Sequence, residues 1–267
     1  MLIPRVIPCL LLRNKGLVKT VRFRDATYVG DPINAIRIFS EMGVDELIFL
    51  DIEATTNNSE PPFATIDLIA SQCFMPVCYG GNIRKLEHIE RMLALGIEKV
   101  SISSHAVENP GFIRKATELF GSQSVVVCMD VKKDRRDRHE VVTHNARRKT
   151  GIDPVEHALR MEAMGTGELI VNSVDRDGMM DGYDIDLIRQ ITDKVGIPVI
   201  ACGGAGSLSD IGDVIRLGGA SSAAAGSLFV FYGKLRGVLV NYPERKELES
   251  LFSQPAARRD MIGGAGP

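Results

Sequence analysis

The chain has 267 residues, 45% hydrophobic content and a formal net charge of −2, which fits one large buried core and excludes a globally basic nucleic-acid binder or an acidic tail. Five cysteines without a C-x-x-C pair, and no N-terminal apolar signal segment, predict reduced thiols packed in the strands of a cytoplasmic protein. No apolar stretch approaches the ~18 residues that a membrane span needs, so none is expected.

In chain order, β-rich runs at residues 5–11, 46–51, 76–79, 99–103, 124–130, 168–173, 198–202 and 221–226 alternate with helical patterns. This alternation predicts βα units and a parallel sheet. A long loop carrying Lys19 follows the first run. A helix comes next, with Asp31 as its cap, Pro32 in its first turn, Ile36, Phe39 and Met42 at helical spacing, and Gly43 at its end. Between the fifth and sixth runs, Lys132, Lys133, Arg135, Arg136, Arg138, Arg147, Arg148 and Lys149 crowd one segment. A two-stranded excursion is predicted there, with residues 140–143 as one arm. Its charge is either solvated surface or an attractor of an anionic substrate or partner. His139 and His144 lie in it without ligand spacing, and His88, His105 and His157 are scattered, so neither a metal site nor a cofactor is expected. Residues 1–253 should form a single domain and residues 254–267, ending in Gly263-Gly264-Ala265-Gly266-Pro267, a disordered tail.

The chain also repeats itself. Pro76-Val77-Cys78-Tyr79-Gly80-Gly81 recurs as Pro198-Val199-Ile200-Ala201-Cys202-Gly203-Gly204, with Gly80 and Gly203 lying 123 residues apart. Leu47-Ile48-Phe49-Leu50-Asp51 is echoed from Leu169, Val100-Ser101-Ile102 from Ala223, and Val6-Ile7-Pro8-Cys9-Leu10-Leu11 by Val125-Val126-Val127-Cys128-Met129-Asp130. The last echo ends in an alkyl group in one half and a carboxylate in the other. Eight units in two similar halves predict a (β/α)₈ TIM barrel, because a doubly wound open sheet gives no reason for a half-chain repeat.

In such a barrel the chemistry belongs at the C-terminal strand ends. There stand Leu11, Asp51, Gly80-Gly81, Ser103-Ser104, Asp130, the stretch from Asp175 through Asp177 to Gly178, Gly203-Gly204 and Gly226-Ser227. Glycine lets a backbone approach an anion and offer its N–H groups, so the repeated pairs are candidates for two phosphate cradles, one per half. Tight βα turns would need the same glycines.

Over about residues 1 to 250 the chain resembles the cyclase subunit of imidazole glycerol phosphate synthase, the HisF-type barrel of histidine biosynthesis. The matching motifs are Gly30-Asp31-Pro32, Asp45-Glu46-Leu47-Ile48-Phe49-Leu50-Asp51, Ala106-Val107-Glu108-Asn109-Pro110, Phe120-Gly121-Ser122-Gln123, Asp175-Arg176-Asp177-Gly178 with Gly182-Tyr183-Asp184, and Gly203-Gly204-Ala205-Gly206. The resemblance implies ammonia released by a glutaminase subunit docked at the N-terminal face. The ammonia travels through the barrel to a ligand with two phosphates, and aspartates closing strands 1 and 5 act there as acid and base. The strand 5 aspartate matches Asp130, while the strand 1 aspartate falls on Leu11, which can exchange no proton; general acid–base catalysis is commonly worth 10²- to 10⁴-fold.

The family's third glycine after strand 3 is Asn82 here, its strand 4 asparagine is Ser103 and its strand 7 serine is Cys202, whereas Lys19, Asp51 and Asp177 remain. The charged ring that gates the family's ammonia passage matches Arg5, Glu46, Lys99 and Glu168, and Glu98 matches an acidic position at the glutaminase interface. A mutually paired plug would use the same four residues. By resemblance the chain is either a cyclase and lyase in which another group replaces the missing acid, or a paralogue. Such a paralogue would pass ammonia to a sugar-amidating enzyme of surface-polysaccharide (acetamidino sugar) biosynthesis. A related half-barrel isomerase also relies on a strand 1 aspartate, so Leu11 counts against it equally.

Overall fold

A computed structural model describes residues 3–233 and 235–253. Eight parallel strands close into one barrel: β1 (Arg5–Arg13), β2 (Leu47–Asp51), β3 (Val77–Gly80), β4 (Lys99–Ile102), β5 (Val125–Lys133), β6 (Glu168–Ser173), β7 (Val199–Cys202) and β8 (Ser222–Ala225). Each pairs with its neighbour in sequence, β8 returns to β1, and the register Arg5↔Ser222 closes the cylinder. The predicted runs thus become barrel strands, with ends shifted by a residue or two and β5 extended.

Alternation within each strand sorts the core into two layers, as expected for strands buried on both faces. Ile7, Cys9, Ile48, Cys78, Val126, Cys128, Ile170, Ile200 and Cys202 point into the barrel. Val6, Leu10, Phe49, Val77, Val100, Val127 and Leu169 point outward against the helices. Those helices are α1 (Pro32–Glu41), α2 (Phe63–Gln72), α3 (Leu86–Ala94), α4 (Pro110–Phe120), α5 (Pro154–Ala163), α6 (Ile185–Thr192), α7 (Leu208–Arg216) and α8 (Arg245–Ser253). Among the described residues no helix is long and apolar enough to cross a membrane.

The first helix starts as expected: Asp31 accepts from the Ile33 and Asn34 amides, Pro32 sits in its first turn, and Gly43 takes φ +69° after its end. Met42, however, is the C-cap and is 41% exposed, so Ala35 joins Ile36 and Phe39 on the buried face in its place. The loop after β1 is an antiparallel ribbon, Gly16–Val21 with Arg24–Gly30, paired onto β1 itself. The excursion after β5 has three strands rather than two, because β5 runs on to Lys133, pairs with His139–Thr143, and that strand pairs with Arg148–Lys149. A further hairpin, Phe231–Tyr232 with Gly237–Val238, follows β8. All five cysteines are free thiols, four in barrel strands and Cys73 at the end of α2. The expectation of a disordered tail at residues 254–267 lies outside the described residues.

Candidate functional site

The C-terminal strand ends surround an open cavity of about 130 Å³. Strands β1 and β5 lie opposite each other in an eight-stranded barrel, so Leu11 and Asp130, both lining the cavity, face it from opposite walls. Asp130 is half-buried, and desolvation pushes its carboxyl up to about 7 although Asn172 Nδ2 (3.2 Å) and Ser103 Oγ (3.4 Å) donate to it. A carboxyl at that value can give or take a proton near neutrality. Leu11 is 8% exposed and packs with Leu50 in the apolar layer.

Lys19 comes from the ribbon and is 5% exposed. Its ammonium donates to the Cys9 carbonyl at 3.2 Å, and no carboxylate pairs with it among the described residues. A Cβ on Gly226 would overlap that ammonium, so the glycine there makes room for the lysine as well as for any ligand. The Cys9 and Cys202 thiols are neighbours in the barrel interior. The Cys202 thiol, reinforced by Lys19, draws the Cys9 thiol down against the effect of burial, whereas the Cys9 thiol and burial push Cys202 up.

The other two aspartates are already engaged. Asp51 accepts from the Glu53 and Ala54 amides at 3.0 Å each, and burial still holds its carboxyl above the ordinary value. Asp177 accepts from Thr20 Oγ1 at 2.7 Å and the Phe23 amide at 3.2 Å, which fastens the ribbon over the cavity. Gly178, at φ +70°, lets the strand 6 loop touch the Thr20 carbonyl. Gly81 sits where a Cβ would strike Asp51. Gly81, Ser103 and Ser104 line one side of the cavity, and Gly203, Gly204, Gly226 and Ser227 line the other, so all the expected cradle residues share one space. Ser104 Oγ is occupied by the His144 amide at 3.0 Å.

Sequence reasoning missed Asn172, Asn145 and Thr20. Asn172 was findable, because it falls on the inward parity of an apolar strand. Asn145 was not: it reaches the cavity and the Ile52 carbonyl from a turn in which His144, Asn145 and Ala146 all have φ between +54° and +58°. Of the histidines, His105 lines the cavity just after β4, while His139 is bonded to Asp184 at 3.1 Å and His144 lies 3.5 Å from Glu108. Among the described residues no three His, Cys, Asp or Glu side chains are grouped to hold a metal.

At the opposite end Arg5, Glu46, Lys99 and Glu168 meet in one closed ring. Arg5 bonds both Glu46 and Glu168, and Lys99 Nζ reaches Glu46 at 3.0 Å and Glu168 at 3.0 Å. Burial works against both cations, yet the two carboxylates hold Arg5 and Lys99 above their ordinary values. Glu98 beside the ring accepts from the Val77 amide at 2.7 Å.

The family described as "Histidine biosynthesis protein" matches residues 5–236. A Pseudomonas aeruginosa protein, provisionally named imidazole glycerol phosphate synthase subunit hisF2, is 51% identical over 92% of this chain and 98% of its own length. A Vibrio vulnificus protein provisionally named as subunit hisF3 is 47% identical over 92% of this chain and 95% of its own. One from Leptospira borgpetersenii, provisionally named subunit HisF, is 47% identical over 94% of this chain and its full length.

Proposed function

Since the chain belongs to the HisF-type imidazole glycerol phosphate synthase subunit family, we propose that it conducts ammonia from a glutaminase subunit on its N-terminal face to a separate amidating enzyme. By the resemblance described above, that enzyme forms acetamidino sugars for surface polysaccharide. The observation that carries this reading is the wall opposite Asp130: Leu11 stands there where, by the resemblance, the family's cyclisation calls for a second carboxylate. Support also comes from the numbers 2 and 3 in two relatives' names, which suit additional copies.

Ammonia is neutral, so a lumen of Ile7, Ile48, Val126, Ile170 and Ile200 passes it at less cost than ammonium, which would have to shed its hydration. The ring of Arg5, Glu46, Lys99 and Glu168 serves as the gate in this scheme, opening when a docked glutaminase draws one member aside. The phosphorylated ligand keeps its place in the cavity, with Lys19 and the glycine cradles facing its phosphates. Asp51 and Asp177 hold the surrounding loops.

The alternative is an active cyclase and lyase subunit, and it draws on Asp130, whose carboxyl at about 7 suits proton transfer. An ammonium-driven cyclase assay separates the two. Silence of the correctly folded chain with the family's ribonucleotide is expected, and turnover would make it a histidine-pathway enzyme. When glutaminase and acceptor are supplied, Lys99→Glu should leave glutamine hydrolysis running while ammonia delivery falls. Unchanged coupling would mean a plug rather than a gate.

A further inference from the structure

The surface around the cavity mouth carries two features that the site does not use. The hairpin after β8 exposes four large apolar side chains within eight residues: Tyr232 at 69%, Leu235 at 97%, Val238 at 52% and Leu239 at 53%. It is not a loose end. Leu239 N bonds the Val230 carbonyl at 3.0 Å, and Arg236 Nη2 bonds the carbonyl of Gly178, itself a cavity-lining residue, at 3.0 Å. Exposing such a patch is unfavourable in water and marks surface that another molecule covers.

Flanking the same mouth, the ribbon after β1 and the excursion after β5 expose Lys15, Arg22, Arg24, Arg135, Arg136 and Arg147. None of the six has a carboxylate within 4.0 Å among the described residues, and the acids of the strand 6 loop are already bound to Thr20, His139, Arg176 and the Lys133 amide. The whole chain has a formal charge of −2, so this local cationic surplus runs against its overall balance.

We propose that the cavity mouth is a docking surface for a separate protein whose contact face is acidic around an apolar recess, the recess receiving the exposed Tyr232, Leu235, Val238 and Leu239 side chains of the hairpin. The inference deepens the ammonia-delivery reading, on which it rests for the identity of that protein as the ammonia acceptor. Charge decides among the occupants. Two copies of this chain face to face would oppose cation to cation. An anionic bilayer would satisfy both the charge and the apolar tip, but it holds no site to receive the ammonia. A protein with its own site in line with the mouth continues the passage, and ammonia handed across a closed interface is not lost to protonation in bulk water.

The test places p-benzoylphenylalanine at Leu235 of the full chain in the cells that make it. Leu235 is almost fully exposed, so the change should leave the fold intact. The expected result is a photo-adduct with one acidic protein. Once purified, that protein should bind the unaltered chain with an affinity that falls steeply with salt. It should fall at least about tenfold with Leu235→Asp and, separately, with Arg135→Glu plus Arg136→Glu. If that partner binds so but aminates nothing when glutamine and glutaminase are supplied, docking stands and the ammonia-delivery reading fails. An adduct with a second copy or with the glutaminase, no adduct, or affinity indifferent to the charge reversals overturns the proposal. So does Leu235-dependent co-sedimentation with vesicles of phosphatidylcholine holding about 30% phosphatidylserine.

Discussion

The two ends of the barrel hold buried charge in opposite ways. At the N-terminal end each of the four charges bonds two of opposite sign, and Glu46 is only 2% exposed. At the C-terminal end Lys19 is buried and Asp130 half-buried, and neither has an opposite charge within 4.0 Å among the described residues. The difference teaches what each end is for. A ring that satisfies itself needs no ligand, whereas isolated charges on a cavity wall are costly until a ligand arrives to match them.

The largest effect should come from making the upper end chemically complete. Leu11→Asp restores a carboxylate opposite Asp130, and a gain of about 10²- to 10⁴-fold in ammonium-dependent cyclase turnover is expected; no gain would assign the loss to Asn82, Ser103 and Cys202 as well. At the lower end, Glu46→Ala leaves Arg5 and Lys99 sharing one carboxylate and should cost about 3 to 5 kcal/mol in urea unfolding. A loss below about 1 kcal/mol would mean that the ring is not a mutually dependent unit.

Asp130 should respond with the opposite sign. Its folded value of about 7 stands above the ordinary carboxyl value of 3.8, so the folded state binds the extra proton between those limits. The protonated side chain's advantage is complete below about pH 4 and is lost as pH rises through 7. Asp130→Asn should therefore match the parent near pH 4 and exceed it by about 2 to 4 kcal/mol at pH 8, as read by denaturant unfolding at the two pH values. A difference that does not change with pH would mean that folding does not raise the Asp130 carboxyl. The smallest effect is Ser103→Ala, which removes one donor to the carboxylate. It should move the titration of Asp130 further up and change stability by about 1 kcal/mol or less, measurable by carboxyl NMR.

Much of the scaffold was legible because each strand buries both faces and each connection carries its own punctuation. The Val/Ile runs and the Asp31-Pro32 helix start needed no tertiary information. The ribbon after β1 escaped notice because its residues, Arg24 to Gly30 especially, are too exposed and polar to form an alternating pattern; their pairing comes from β1. The hairpin after β8 was hidden for the converse reason, since its apolar residues look like the end of a core strand. Asp51 and Asp177 carry the right residue type either for a ligand site or for pinning loops; the Asp51 bonds to the Glu53 and Ala54 amides are local, whereas those of Asp177 to the Thr20 hydroxyl and the Phe23 amide form only when the fold brings the ribbon to it. The four ring residues share no spacing that marks them as a group. Resemblance found them, and the geometry joins them.

The ring also bears on how the two halves of the chain could recognise each other. Glu46 and Glu168 are repeat mates, each standing just before the matched Leu47 and Leu169, whereas the counterparts of Arg5 and Lys99 in the second half are Ser124 and Ser222. Two N-terminal halves assembled alone would set four cations against two carboxylates, and two C-terminal halves would set two carboxylates together with no cation. Only one half of each kind closes a neutral ring. If the halves are expressed as separate fragments, this small electrostatic lock should favour the mixed barrel over either like-with-like pairing.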